Sequence, residues 1–571
     1  MDYRTIYQLW REKATADPDL QTELQAIEGD DEGITDRFYK DLEFGTGGLR
    51  GVIGAGTNRM NVYTVGKATQ GLADHINSVT DAGSVAIAHD SRIKSDLFAR
   101  TAASVLAANG IKVHMYKELM PTPMLSFAVR HLHCTAGIVI TASHNPAKYN
   151  GYKAYGPDGC QLTLDDSEHV LSLIEKVDTF TGVKTVDFDA ALADGRISYI
   201  DQAVIDAYLD EVAARSVHPE ALKEGGLRVI YTPLHGTGNK PVRAILRRMG
   251  VEHVTVVPEQ ELPDGNFPTA PFPNPEIREA FGCALKLAET VQPDLLLATD
   301  PDCDRVGIAV RRDGEYVLMT GNEVGALLLN YILSERTALG TMPKRPVAVK
   351  TIVSTDLCYP IAEKYGCQMI DVLTGFKFIG EQIGLLEQKG EDDRFVFGFE
   401  ESYGYLAGSY VRDKDAVVAS MLICEMASFY KGQGKSLLDK MEELYAAYGM
   451  HLNTQKSFVC EGVTGMERMQ EIMDDLRRNP PASIGGRKTL RVLDYGASTD
   501  VDTATGQSVP ITLPKSNVLS FKLEGSAGVI IRPSGTEPKI KVYLSCRGKD
   551  RAEAGEIAQK LGDDMSRIMG F

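Results

Sequence analysis

Ala136-Gly137-Ile138-Val139-Ile140-Thr141-Ala142-Ser143-His144-Asn145-Pro146 is the stretch that decides the fold. Its first five residues are apolar and short enough to be a buried strand. Asn145-Pro146 then breaks the chain into a turn. A hydroxyl and an imidazole therefore stand side by side at the C-terminal end of a strand, where open α/β sheets bind their ligands. Gly151-Tyr152-Lys153 reads as part of the same loop and brings a cation. A serine beside a histidine and a lysine suits an activated nucleophile or a phosphate carrier. The same residue types also make ordinary turns, so this stretch alone does not decide the chemistry.

Upstream, Ser84–Ala88 reads as a strand ending in His89-Asp90-Ser91-Arg92. Val65–Val79 and Asp96–Asn109 read as helices, Gly110 stops the second, and Lys112–Tyr116 is the next strand. This alternation is the α/β pattern. Phe44-Gly45-Thr46-Gly47-Gly48-Leu49-Arg50-Gly51 reads as a glycine turn whose N–H groups can approach a ligand, with Arg50 able to grip phosphate. Residues 1 to 40 look helical and polar and hold Trp10, the sole tryptophan.

Downstream, strands are expected at Leu227–Tyr231, Val254–Val257 and Asp294–Ala298, with an irregular Pro- and Asp-rich loop over 258–276. A third set comprises Val347–Lys350, Met369–Val372 and Arg394–Phe397, followed by the helix Ala416–Phe429. The last segment changes character. Arg478–Lys488 is polar, rich in Pro and Gly, and reads as irregular and mobile. Strands follow at Val518–Leu523, Ala527–Ile531 and Ile540–Ser545, then a helix from Ala552. The expected domains are 1–204, 205–314 and 315–454, all α/β, and 455–571, a smaller α+β unit.

Length and composition set the bounds. The chain has 571 residues, 43% of them hydrophobic and 24% charged, with a net charge of −17. That length exceeds a single core. An acidic chain argues against a nucleic-acid partner, so an anionic substrate needs a local basic island. No apolar run approaches the roughly 20 residues that span a bilayer. The charged start Met1-Asp2-Tyr3-Arg4 does not read as a signal peptide. Nine scattered cysteines without a Cys-x-x-Cys make a disulfide framework or zinc site improbable and point to a reducing cytoplasm.

Three constellations carry the chemistry. Asp300-Pro301-Asp302-Cys303-Asp304-Arg305 places three carboxylates on one short loop after a strand, which suits a hard divalent cation. An EF-hand is excluded, because its sixth and twelfth positions would be Arg305 and Arg311. An aspartyl-phosphate phosphatase using Asp300 stays open at this point, as does a plain acidic turn. Arg532-Pro533-Ser534-Gly535-Thr536 offers a guanidinium, two hydroxyls and a glycine turn, the makings of a phosphate clamp. Glu400 and Ser402 lie two apart, a spacing that suits a grip on sugar hydroxyls.

In this order and spacing the motifs resemble one family, the α-D-phosphohexomutases. Thr141–Pro146 with Asn150-Gly151-x-Lys153 is similar to its phosphoserine loop. Asp300–Arg305 is similar to its magnesium loop, Glu400-x-Ser402 to its sugar loop, and Arg532–Thr536 to its phosphate loop. Gly47–Arg50, Thr374-Gly375-Phe376-Lys377 and Arg412-Asp413-Lys414-Asp415 match further segments. The resemblance spans roughly residues 40–548. It implies four domains around one cleft, three similar α/β domains and a smaller C-terminal one. The Tyr403-Gly404-Tyr405 variant resembles the branch that also holds phosphopentomutases and a bisphosphate synthase.

The resemblance implies a phosphoglucomutase acting through a glucose 1,6-bisphosphate intermediate. Mg²⁺ would be held by Ser143, Asp300, Asp302 and Asp304. Ser143, His144, Lys153 and Arg50 would be catalytic. Arg305, Thr374, Gly375, Lys377, Glu400, Ser402, Lys414, Arg532, Ser534, Gly535 and Thr536 would bind substrate. His144 or Lys153 would move the hydroxyl proton. The expected partner is a small-molecule sugar phosphate, with neither nucleic acid nor membrane. Monomer and dimer both remain compatible with the sequence.

Overall fold

Buried strands set side by side by parallel pairing carry the serine loop. A computed structural model describes residues 2–45, 47–460, 465–534 and 539–571. The chain forms two compact units: residues 1–321, 379–398 and 402–436, and residues 322–378, 399–401 and 437–571.

In the first unit a six-stranded sheet runs in the order Gly48–Val52, Tyr149–Tyr155, Ala136–Ile140, Ser84–His89, Lys112–Met115, Ile197–Tyr199. The last four strands pair in parallel, as buried Val/Ile/Ala-rich runs do when helices cover both faces. The first two add antiparallel strands at one edge. This corrects two expectations. Gly151-Tyr152-Lys153 is not in the serine loop but in a strand, opposite Arg50, Leu49 and Gly48 respectively. Gly48–Val52 is likewise a strand and not a flexible turn.

The N-terminal segment forms the expected helices, Tyr3–Lys13, Pro18–Ala26 and Asp31–Phe38. Each starts at an aspartate, Asp2, Asp17 or Asp30, whose carboxylate accepts backbone N–H groups of the first turn. Trp10, Tyr7 and Phe38 pack edge to face and bury the extension against Ala55, Val62 and Tyr63 of the following domain.

A five-stranded sheet in the same unit runs Glu315–Met319, Val306–Arg312, Leu295–Thr299, Arg228–Thr232, His253–Val256. Its two central-to-edge strands Leu295–Thr299 and Val306–Arg312 are antiparallel, with Thr299 opposite Val306. The three-aspartate loop is therefore the tip of a hairpin, fixed at both ends by buried strands.

In the second unit Val347–Thr351 and Gln368–Val372 pair in parallel. A separate antiparallel sheet carries the C-terminal part, in the order Met450–Val459, Lys539–Gly548, Ala527–Pro533, Leu519–Leu523, Arg487–Asp494, Thr499–Asp502, Ser508–Pro510. Met450–Val459 runs across the expected boundary at 454/455 and pairs along its length with Lys539–Gly548. The helices Gly465–Arg478 and Arg551–Ile568 contribute Met469, Met473, Leu561 and Met565 to the core under this sheet. Within the Arg478–Lys488 stretch read as irregular, Ser483–Ile484 pairs with Arg487–Lys488 as a hairpin. Gly485 and Gly486, at φ of 57° and 75°, supply the two left-handed residues its tight turn requires.

No helix among the described residues is long and apolar enough to cross a membrane. No disulfide joins the nine cysteines.

A pH prediction follows from the packing. Burial lowers the pKa of His75, His114 and His451, reinforced by His169, Lys112 and Arg547 respectively, while Asp166 opposes it at His75. Below the ordinary histidine range the unfolded chain then binds protons that the folded chain refuses. Stability is thus full above about pH 6.5 and is lost as pH falls below it. Thermal unfolding should show a lower Tm at pH 5 than at pH 7. His75→Gln should shrink that difference, and an equal or larger difference would remove His75 from the explanation.

Candidate active site

The strand Ala136–Ile140 ends at Thr141, whose hydroxyl accepts the Ser143 N–H at 2.8 Å and donates to Asp90 Oδ2 at 2.6 Å. This bends the backbone sharply. Ser143 sits at φ 52°, a conformation that costs a non-glycine residue of order 1 kcal/mol or more and clusters at functional sites. Cys303 in the aspartate loop (φ 51°) and Tyr403 after Glu401 (φ 65°) share that strain.

The Ser143 hydroxyl lies against the aspartate hairpin. Its Oγ donates to Asp300 Oδ2 at 2.8 Å and is 3.2 Å from His144 Nδ1. Asp300 Oδ1 accepts the backbone N–H groups of Asp304 and Arg305 at 3.1 and 3.0 Å. Asp302 Oδ2 accepts from Lys153 Nζ at 3.0 Å and from Thr122 Oγ1 at 3.1 Å. Lys153 also lies 3.7 Å from Asp304 Oδ2. The strand that carries Lys153 thus delivers its ammonium to the acids beside the serine. Arg50, opposite Gly151 in the same sheet, donates to Asn145 Oδ1 at 3.5 Å.

Asp300, Asp302 and Asp304 are all buried, and one oxygen from each lies within 4.8 Å of the others. Asp302 Oδ1 and Asp304 Oδ1 accept no hydrogen bond from the described residues. Buried oxygens without donors are costly unless something else satisfies them. Hard carboxylate oxygens at this spacing fit a divalent cation.

The charges are arranged accordingly. Burial, then Asp302 and Asp304, pushes the Asp300 carboxyl well above its ordinary range. Burial and Asp302 also raise Asp304. Burial works against ionised Asp302 as well, but Lys153 overrides it and holds this carboxyl below the ordinary range. A bound divalent cation would favour the ionised form of all three. Desolvation works against a charged Lys153 too, yet Asp302 and Asp304 raise it, so it stays charged. His144 goes the other way: burial, then Arg305 and Arg50, lowers it well below 6.5 and keeps the imidazole neutral.

Other expected residues fall around this centre or apart from it. Arg305 donates to Glu276 Oε1 at 3.0 Å and to the Ser402 carbonyl at 3.1 Å, so it ties the hairpin to the strained turn at Ser402-Tyr403. Lys414 is buried 3.3 Å from Asp304 Oδ2 and 3.0 Å from Asp413 Oδ1. Its ammonium compensates acids of the hairpin. Asp413 in turn accepts from Tyr155 at 2.8 Å. Sequence reasoning passed over Thr122 and Tyr155, and named Asp413 only as part of a matched segment, without a role. Only the position of Thr122 at a helix start after Pro121 signalled anything.

In the second unit Glu400 is buried and its Oε1 accepts the Gly375 N–H at 3.0 Å. Gly375, at φ 118°, turns the chain from Thr374 into the helix Phe376–Glu387, with Lys377 in the first turn. Arg532 lies on Ala527–Pro533, opposite Lys541. Ser534 N–H donates to the Lys539 carbonyl at 2.7 Å and closes the hairpin end. Gly535 and Thr536 lie outside the described residues.

Four family models match the chain in order. They are described as Phosphoglucomutase/phosphomannomutase alpha/beta/alpha domain I (residues 41–180), domain II (206–314), domain III (320–448) and C-terminal domain (499–562). A Staphylococcus aureus (strain MSSA476) phosphoglucomutase is 37% identical over 565 residues, covering 97% of each chain. The phosphoglucomutase of strain MRSA252 is 38% identical over 528 residues, covering 92% of each. The crystal structure of the Paramecium phosphoglucomutase parafusin, in an open form, shares the fold with a TM-score of 0.67 at 17% identity, covering 93% of this chain and 96% of that one. The expected fold class, three similar α/β domains and a fourth C-terminal domain, therefore stands, and the chain belongs to the phosphoglucomutase/phosphomannomutase family.

Proposed function

We propose that this chain is a phosphoglucomutase that interconverts glucose 1-phosphate and glucose 6-phosphate. Ser143 carries the phosphoryl group, and glucose 1,6-bisphosphate forms as a bound intermediate. The observation that carries this reading is the Ser143 hydroxyl 2.8 Å from Asp300, at the mouth of a buried three-carboxylate cluster with a lysine beside it. Asp300 is the rival phosphate acceptor, but one of its oxygens already accepts two backbone N–H groups and the other the serine hydroxyl. That favours serine over an aspartyl-phosphate phosphatase.

Asp300, Asp302 and Asp304, with Ser143, would hold Mg²⁺, which supplies charge neutralisation for the phosphoryl oxygens when bound. In the forward half-reaction the Ser143 Oγ–P bond breaks and a P–O bond to the sugar hydroxyl forms. The sugar proton leaves and Oγ regains its own. Neutral His144, 3.2 Å from Oγ, suits the base that takes the Oγ proton when Ser143 attacks in the return half-reaction and gives it back when Oγ leaves, whereas Lys153 stays protonated and neutralises charge. Positioning and electrostatics do most of the work in such transfers. Glu400 and Ser402 bind the sugar hydroxyls, with Thr374, Gly375 and Lys377 beside them. The Arg532–Thr536 loop binds the phosphate that does not react. We read the enzyme as cytoplasmic and its partner as a small sugar phosphate.

The test is a mutase assay of the purified protein on the 1-phosphates of glucose, mannose, ribose and deoxyribose. Glucose should be turned over best, with mannose second. Preference for either pentose would overturn the sugar assignment, and release of free phosphate without isomerisation would overturn the mutase.

Arg532→Ala should mainly raise KM, because the non-reacting phosphate is bound in ground and transition states alike. Loss of a charge-assisted contact should lower kcat/KM by about 30- to 1,000-fold. Phosphorylation of Ser143 should survive in this variant. An unchanged KM would remove Arg532 from the phosphate site.

A further inference from the structure

We infer that Arg92 is a positioning residue that fixes the phosphate-carrying loop, and that Phe267 of the following domain holds Arg92 in place. The inference rests on Ser143 being the phosphate carrier.

Arg92 is buried beneath the loop, and its terminal nitrogens meet four backbone carbonyls of it. Nη1 donates to Pro146 at 3.0 Å and Tyr149 at 2.9 Å. Nη2 donates to Ser143 at 2.5 Å and also to Asn145. Nε lies 3.3 Å from Asp90 Oδ2. Asp90 is itself buried and accepts the hydroxyls of Thr141 and Ser95 at 2.6 and 2.7 Å. One Asp–Arg pair therefore straps the loop from Thr141 to Tyr149.

The chemistry requires an arginine. Four carbonyls converge in a place that excludes water, and unpaired they would be costly. A planar guanidinium has enough donors, in fixed directions, to meet all four with its terminal nitrogens, while its charge pairs with the Asp90 carboxylate and Nε itself makes no hydrogen bond among the described residues. A lysine has three donors and no fork. The loop also holds Ser143 in a strained conformation, which persists only when its surroundings over-determine it. Ser143 must receive and return a phosphoryl group from one fixed position, and a misplacement of about 1 Å costs on the order of 100-fold.

Phe267 sits on the opposite side. Its ring centroid is 5.0 Å from the guanidinium carbon, within cation–π range, and the residue is buried. The loop that carries it presses on the Arg92 backbone: a Cβ on Gly265 would lie 2.5 Å from the Ile93 nitrogen. The irregular 258–276 segment is thus a brace for the catalytic loop of the preceding domain.

The experiment compares Arg92→Lys and Phe267→Leu with wild type. It measures kcat and KM for glucose 1-phosphate, phosphate occupancy of Ser143 by intact mass, and amide exchange peptide by peptide. Arg92→Lys should lower kcat about 10- to 100-fold with KM changed less than about threefold. Exchange over residues 141–150 should speed up at least about tenfold, while the C-terminal sheet keeps its protection. Phe267→Leu should move both readouts the same way by less, and it carries the test alone if Arg92→Lys does not fold. Unchanged kcat and loop exchange in the folded variants would overturn the proposal, as would exchange rising evenly through the chain. If wild-type Ser143 proves not to carry phosphate, the functional reading fails, while the exchange comparison still decides whether Arg92 clamps the loop.

Discussion

Ser143→Ala should show no multiple turnover on glucose 1-phosphate, a loss of at least about 10⁴-fold in kcat, the scale seen when a covalent nucleophile is removed. The hydroxyl is the only part of this residue that faces the acid cluster, 2.8 Å from Asp300 Oδ2. Intact mass should fall by one phosphate group relative to wild type beyond the change of side chain. Alanine bears the same left-handed strain at φ 52° that serine already bears, but it leaves Asp300 Oδ2 without its donor, so a stability loss of about 1–3 kcal/mol accompanies it. Ser143→Gly separates the two effects. Glycine adopts that backbone freely, so it should be as inactive as alanine but less destabilised. Substantial turnover in both variants would remove serine from the phosphoryl path.

The parts of this site that lie close in sequence were legible there. An apolar run followed by Thr-Ala-Ser-His-Asn-Pro gives a strand ending in a polar turn, and the structure places the strand at Ala136–Ile140. Three acids in five residues after a second apolar run gave the acidic loop, while the strand Val306–Arg312 that makes it a hairpin tip was not read from the sequence. What misled was glycine. Gly151 and Gly48 suggested loops, yet both lie inside strands because nothing larger fits. A Cβ on Gly151 would fall 2.5 Å from the Thr141 carbonyl, and one on Gly48 would fall 2.1 Å from that of Tyr152. Such glycines mark close backbone approach rather than flexibility, and single-residue patterns do not distinguish the two. Lys414 was named from its family-like segment, but its ion pairs with Asp304 and Asp413 had no signal in the sequence. Arg92 was unreadable because its partners lie more than fifty residues away and are carbonyls, which carry no side-chain signature.

Asp302→Asn should lower Mg²⁺ affinity by at least about 100-fold and kcat/KM by about 10³-fold or more, since it removes one of three charged ligands from a buried cation site. Its effect without metal is a contest of two terms. Removing one partner of a buried ion pair typically costs about 3–5 kcal/mol. Lys153, with a side chain 14% exposed, would keep only Asp304 at 3.7 Å from the cluster. Against this, the repulsion that Asp302 exerts on Asp300 and Asp304 disappears, and it is a main reason both carboxyls are raised. The metal-free variant should therefore lose less than about 3 kcal/mol, and its Tm should fall only modestly. The decisive readout is the response to metal. Mg²⁺ binding to the folded state should raise the wild-type Tm with concentration by mass action. Asp302→Asn should lose that rise over the same range while keeping a cooperative transition. A variant that retains both the Mg²⁺-dependent rise and the magnesium dependence of turnover would show that these aspartates do not hold the metal.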